Sequence, residues 1–395
     1  MKIIVLCNFP FPDGLAATVR IRAYLKGLSE LGCKTKVFVY NPSLSYNSKE
    51  TILAEGETIE GIPYFYPNNI RFNRNRILRF LEIHIINWIR TAVAIYKENK
   101  SSHIDYLFIA NDKLTVLFWY TSIAKLLKIQ PVFITDEYPA EIRRELKDAI
   151  PRYKKVLYKF IIKKIGYAIF MTKALERYYT IDINIKSYIL PTITDYSRFN
   201  IEKRTVKNPE KYICYMGNME LSKDNVDNII IAFSYIADKF KDVKLLLYGA
   251  PSEYDRNVLE QIIKEKQLTN QVILKGRVGY SEVPEILQGA LILVSSQPDS
   301  KRAEGGFPTK LGEYLAAGRP ALFTDVGEIS KYVEAGKHVY IVPPGRPDLY
   351  AAALEYILKN YDEAQSVALE GKQYLSDNFD YKIISQKLYD FLKNG

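Results

Sequence analysis

Cysteine is scarce in this 395-residue chain: Cys7, Cys33 and Cys214 are scattered and fall in no Cys-x-x-Cys or Cys/His pattern. An odd, dispersed set of thiols excludes a disulfide framework and a zinc cluster, and fits a reducing, cytoplasmic compartment. Histidine is equally rare. His84, His103 and His338 sit in helical, loop and strand patterns away from any motif, and none is assigned chemistry. Asp-x-Asp occurs nowhere, which removes the evident carboxylate pair for holding a divalent ion on a diphosphate, so no metal site is expected. Nor is there a run of about 20 apolar residues, the length a spanning helix needs. The longest hydrophobic stretch, Phe80 to Tyr96, is interrupted by Glu82, His84 and Arg90. The apolar start from Met1 to Phe9 is too short for a signal peptide and lacks a small-residue cleavage site, so it reads as a first strand.

What is present is enough for two cores. At 48% hydrophobic and 25% charged residues the chain is globular in composition, and its length exceeds what one core usually fills. A net charge of +10 points to an anionic partner. The cations are clustered: between Arg143 and Lys164 there are nine Lys or Arg against Glu145 and Asp148. Val156, Leu157, Phe160, Ile161 and Ile162 interleave with them. This pattern fits a basic amphipathic helix at a membrane surface. It fits equally a solvated helix with one core-facing stripe, and the sequence does not choose.

Short β-rich runs alternate with helical patterns, the signature of βαβ units and parallel sheets. In the first half the expected strands are Lys2–Leu6, Lys36–Tyr40, Asp105–Ala110, Pro131–Thr135, Tyr167–Met171 and Ser187–Leu190, with a helix over Ala16–Leu31 closed by Gly32. A polar stretch, Thr192–Asn208, then breaks the rhythm. The alternation restarts at Tyr212–Met216 and continues through Val243–Tyr248, Val272–Leu274, Ala290–Val294, Pro320–Phe323 and His338–Ile341. The expected organisation is a first lobe over 1–195, a linker over 196–210, a second lobe over 211–376, and a terminal helix over 377–395 that packs back on the first lobe. Ligands of open α/β sheets bind outside the carboxyl ends of the strands, so the candidate site is a cleft that two such lobes face.

The most informative segment runs from Ala303 to Ala321, AEGGFPTKLGEYLAAGRPA. It reads as a glycine-rich loop feeding a helix that begins near Pro308 or Thr309 and stops at Gly318. Free amides at a helix start form a ready anion site, and Gly305 and Gly306 let a phosphate approach the backbone. Lys310 adds a point charge, and Glu313 is placed to accept hydrogen bonds from two ribose hydroxyls. Gly-Gly loops before helices are also common without any ligand.

The run from Gly306 to Pro320 resembles the donor-binding signature of glycosyltransferase family 4, a retaining group with the GT-B fold of two Rossmann-like lobes. Tyr215-Met216-Gly217-Asn218 with Lys223 is similar to the family's first turn of the second lobe. Leu247-Tyr248-Gly249 and Leu274-Lys275-Gly276-Arg277-Val278 resemble its next strand ends, and Phe11-Pro12-Asp13-Gly14-Leu15-Ala16 its N-terminal glycine loop. The resemblance implies donor contacts from Gly14, Gly217, Asn218, Gly249, Arg277, Val278, Gly305, Gly306, Phe307, Thr309 and Glu313. It implies phosphate charge stabilisation by Lys223 and Lys310, with no metal and no resident cofactor.

Three positions depart from the family pattern. Glu304 stands one residue away from the place of the first of two paired glutamates, and Asn218 replaces an arginine. Asp136, beside Glu137, stands where a histidine is expected after the fourth strand; either carboxylate could accept an acceptor's proton, or cap the helix that follows. The expected activity is transfer of a sugar from a UDP- or GDP-linked donor to a glycan or lipid-linked glycan, with retention, in bacterial cell-surface polysaccharide assembly at the inner face of the membrane. The competing readings are a sugar-nucleotide epimerase of the same fold and a degenerate, non-catalytic binder. No nucleic-acid module is recognisable.

Overall fold

Continuous apolar runs make the strands of this protein. In the computed structural model, which describes residues 1–14, 16–143, 147, 149–200, 211–307 and 309–394, the first strand, β1 (Lys2–Cys7), is buried along its whole length. A parallel strand covered on both faces requires that pattern. The first unit comprises residues 1–193 together with 381–395. Its remaining strands are β2 (Lys34–Val39), β3 (Glu55–Glu57), β4 (Pro63–Phe65), β5 (Tyr106–Ala110), β6 (Gln130–Thr135), β7 (Tyr167–Phe170) and β8 (Lys186–Ile189). They form one sheet in the order β3-β4-β2-β1-β5-β6-β7-β8, parallel except for the β3/β4 pair.

The second unit, residues 194–380, carries β9 (Lys211–Met216), β10 (Val243–Tyr248), β11 (Val272–Gly276), β12 (Ile292–Ser295), β13 (Ala321–Thr324) and β14 (Tyr340–Val342). Its sheet is fully parallel, in the order β11-β10-β9-β12-β13-β14. Each sheet therefore reverses its direction of growth once, between β1 and β5 in the first unit and between β9 and β12 in the second. Such a switch point is where adjacent loops diverge and leave room for a ligand.

The division of the chain differs from the expected one in a way that matters. Residues 194–200, read from sequence as strand exit and linker, belong to the second unit: Thr194 bridges Asp380, and the Tyr196 amide donates to the Asp380 carboxylate. Asp195 caps a 3-10 turn over Tyr196–Phe199. The rest of the expected linker, 201–210, lies outside the described residues. The terminal helix Tyr381–Lys393 belongs to the first unit, where Ser385 Oγ donates to the Tyr24 carbonyl and Tyr381 to Glu30. The hairpin of β3 and β4 was not anticipated from sequence.

Candidate functional site

The carboxyl ends of β9, β10 and β11 are stitched together by glycines. Gly217 donates its amide to the Tyr248 carbonyl, and Gly249 donates to the Gly276 carbonyl, each at 2.9 Å. Gly249 has φ +156°, and a Cβ there would lie 1.9 Å from the Gly217 oxygen, so only glycine fits. A Cβ on Gly217 would lie 2.5 Å from Lys310 Cε and from the Tyr215 hydroxyl. Removing that one carbon lets the Lys310 stem cross the end of β9. Asn218 and Arg277 are exposed in the turns beyond β9 and β11, and Val278 is half-buried.

Lys310 is placed by the helix it opens, Lys310–Ala317. Tyr314, one turn later, donates its hydroxyl to the Val294 carbonyl of β12 and accepts the Met216 amide at the end of β9, which pins the helix at the switch point. Thr309 stands at the N-cap with helical dihedrals and makes no side-chain capping hydrogen bond. The Thr309 side chain thus does not occupy the first amides of the helix, and amides at a helix start are an arrangement that binds anions. Pro308, read as a first helical residue, lies outside the described residues.

The stretch before it is not the loop that its glycines imply. Ser300 caps a short helix, Lys301–Gly305, by accepting the Ala303 amide; Gly305 is buried in its last turn, and Gly306 leaves it in extended backbone. Serine is among the strongest N-cap residues, and here it converts the glycine run into the end of a helix. Phe307 is buried edge-on against Tyr332, with ring centroids 5.1 Å apart, which fixes the connection between the two helices. Glu304 pairs with Lys301, one helical turn away on the exposed side.

That cluster contains residues the sequence reading left out. Lys310 Nζ lies 2.8 Å from Asp224 Oδ1, a carboxylate only 2% exposed. Burial pushes the Asp224 carboxyl up, but the charges of Lys310 and then Lys223 outweigh it and hold the group below its ordinary range. Arg302, from the short helix, forms a forked pair with Glu220, at 2.6 and 3.3 Å. Glu220 is also held low: burial raises it, and hydrogen bonds from Arg302 and Ser222 more than compensate. The turn 217–224 and the two helices therefore gather Lys223, Arg302 and Lys310 around two carboxylates. Glu313 is engaged differently from the expectation. Its Oε1 accepts from Arg198 Nη1 at 3.0 Å, and the same guanidinium donates to the Tyr280 carbonyl and lies 3.6 Å from the Tyr280 ring centre.

In the first unit Gly14 precedes the helix Ala16–Glu30, and a Cβ there would strike Thr18 Oγ1; Leu15 lies outside the described residues. Asp136, just past β6, is bound by the buried Arg20 at 2.5 Å, and Arg20 also donates to the Leu190 carbonyl. Glu137 accepts from Arg143, which reaches Asp112 after β5, both at 2.9 Å. The Arg143 guanidinium is held above its ordinary pKa: burial opposes its charge, and Asp112 and Glu137 outweigh that. Both carboxylates thus serve arginines. Among the described residues no cluster of three or more His, Cys, Asp or Glu could hold a metal ion. No described helix is long and apolar enough to cross a membrane.

Two α/β units with parallel sheets, over the full length of the chain, define the GT-B class of fold. Residues 197–374, nearly the whole second unit, match the family model described as "Glycosyl transferases group 1". A 137-residue stretch is 28% identical to the "Putative colanic acid biosynthesis glycosyltransferase WcaL" of Salmonella typhimurium, and the match spans 34% of each chain. Among solved structures, the sucrose-phosphate synthase of Thermosynechococcus elongatus is similar in fold, with a TM-score of 0.76 and 13% identity over 100% of this chain and 99% of that one. HepE of Anabaena, solved in complex with UDP and glucose, gives a TM-score of 0.73 and 12% identity over 100% of both chains.

Proposed function

We propose that the chain is a retaining glycosyltransferase of family 4 that moves a sugar from a nucleotide diphosphate donor to a hydroxyl of a glycan or lipid-linked glycan, in cell-surface polysaccharide assembly. One observation carries this reading: at the switch point of the second sheet, Lys310 crosses the bare Gly217 backbone beside an uncapped helix start. A pyrophosphate laid there meets amide donors, the positive end of a helix and an ammonium group together. As the bond from the anomeric carbon to the phosphate oxygen lengthens, negative charge grows on the leaving diphosphate. Lys310, Lys223 and Arg302 then stabilise it, each turning from a carboxylate partner toward phosphate oxygens. A hydrogen-bond donor aimed at developing charge is worth about 10²–10³ in rate.

Glu313 takes the ribose hydroxyls in this reading, with Arg198 holding its orientation through one carboxylate oxygen. The leaving-group charge is assigned to lysine and arginine rather than to a divalent ion, and the sugar nucleotide is a co-substrate with no resident cofactor. The departing β-phosphate takes the acceptor's proton, because Arg20 and Arg143 already occupy Asp136 and Glu137. The UDP named for the HepE complex and the colanic acid pathway named for WcaL support a diphosphate donor and a polysaccharide product. The test is to incubate the protein with a panel of UDP- and GDP-sugars, with and without glycan acceptors, and to read products by mass spectrometry and anomeric coupling. A product with the donor's anomeric configuration, formed only with acceptor, is expected. Conversion of the donor alone would identify an epimerase, and no conversion with tight UDP binding a non-catalytic binder.

A further inference from the structure

Two apolar stripes run along the Arg152–Ile165 helix of the first unit. Tyr158, Ile161, Ile162 and Ile165 form the buried one, at the i, i+3, i+4, i+7 spacing of a core-facing side. Tyr153, Val156, Leu157 and Phe160 repeat that spacing and are 45–62% exposed. At about 100° per residue the second stripe lies roughly 140° around the helix from the first, so packing onto the sheet accounts for only one of them.

The exposed stripe has neighbours of the same kind. The Arg76–Leu81 helix, with Ile77, Leu78, Phe80 and Leu81, has no buried residue. Its apolar line continues through exposed Ile85, Ile89 and Val93, in steps of four residues across the π turn at Glu82–Ile86. The wider π turn keeps such steps in one line, and π turns recur at functional positions. Trp88 and Trp119, 6.3 Å apart, join the Asn87–Ser101 helix to Leu114–Leu126, and Lys164 lies over the exposed ring of Phe118 on the latter. The crossovers from β4 to β5, β5 to β6 and β6 to β7 all advance in one direction, so right-handed connection puts these helices on one face of the sheet.

Charge decides what covers that face. Residues 76–101, 114–126 and 152–165 hold twelve Lys or Arg and only Glu82 and Glu98 as acids. A second copy of this chain would bring like charge against like, and a nucleic acid would leave the aliphatic stripes unburied. A bilayer with anionic headgroups takes both: apolar side chains enter the boundary below the headgroups, and lysine stems lie along it with their ammonium groups among the phosphates.

We propose that this face of the first unit docks on an anionic lipid surface, with Tyr153, Val156, Leu157 and Phe160 inserted and the Ile77–Val93 line lying beside them. The docking needs no sugar nucleotide, so it stands or falls separately from the transferase reading. The experiment is co-sedimentation of the full chain with vesicles containing about 30 mol% phosphatidylglycerol, against phosphatidylcholine alone. The anionic vesicles are expected to bind at least about tenfold more tightly, less so at high salt. Val156→Glu with Phe160→Glu, and separately Phe80→Ser, are expected to weaken that binding about tenfold with unchanged melting temperature and UDP affinity. Equal binding by the wild-type chain and both variants, no binding to anionic vesicles, or a wild-type dimer that Val156→Glu with Phe160→Glu splits would overturn the proposal.

Discussion

The carboxyl edges of the two sheets share a topology and differ in charge. At the second sheet Lys223, Arg302 and Lys310 gather around Glu220 and Asp224, beside a helix start that adds further positive potential. At the first, Arg20 and Arg143 serve Asp112, Asp136 and Glu137. Among the described residues, cations are in excess in one network and carboxylates in the other. An excess of cations suits a pyrophosphate whose charge grows during reaction, and an excess of carboxylates suits neutral hydroxyls that need orienting. The chemistry is thus set by which side chains end the strands, on folds that are otherwise alike.

The comparison breaks most visibly at Lys310. Lys310→Ala should lower kcat/KM for transfer by at least about 10²-fold, and should also destabilise the fold by leaving Asp224 buried and unpaired. Adding Asp224→Asn to that variant should restore the melting temperature without restoring activity, which separates the two roles. Glu313→Gln comes next, with donor affinity reduced about tenfold because a charged acceptor for the ribose is lost. It should appear in KM, measured by steady-state kinetics with varied donor.

On the first unit the expected effect is smaller. Asp136→Asn with Glu137→Gln keeps an acceptor oxygen for each arginine, and turnover should stay within about threefold of wild type if the leaving phosphate is the base. A collapse in turnover would assign that role to one of these carboxylates. The smallest effect is on acid stability. Asp224 titrates below its ordinary 3.8 in the folded state. Its contribution is therefore complete above that value and is lost as pH falls through the lower, folded-state value. Asp224→Asn should flatten the denaturant-unfolding free energy below about pH 4 and leave its shape near neutrality unchanged.

The strands at the centre of each sheet were legible because they are continuous apolar runs. Lys2–Cys7 and Val243–Tyr248 were anticipated to within a residue, while the edge hairpin Glu55–Glu57 and Pro63–Phe65 has three-residue strands with glycine and proline and no readable period. The glycine motifs after β9 and β10 were likewise readable, since a close backbone approach demands glycine. The partners of the charged groups were not. Lys310 meets Asp224 across 86 residues, Arg198 meets Glu313 across 115, and Arg20 meets Asp136 across 116. Such pairs are made by the fold and leave no local spacing. Arg198 and Arg20 carried no motif of their own; Asp224 stood next to Lys223, and that adjacency was the one available signal. The glycine run at 305–306 misled because Ser300, five residues upstream of Gly305, set a helix start that outweighed it.

The most direct measurement is a crystal structure of the protein with UDP or GDP bound. The diphosphate is expected within hydrogen-bonding distance of Lys310 Nζ and of the first amides of the Lys310–Ala317 helix, with Lys310 drawn toward it from Asp224. A nucleotide bound elsewhere, or Lys310 still held on Asp224 with no phosphate beside it, would rule out Lys310 as the group that stabilises the leaving diphosphate.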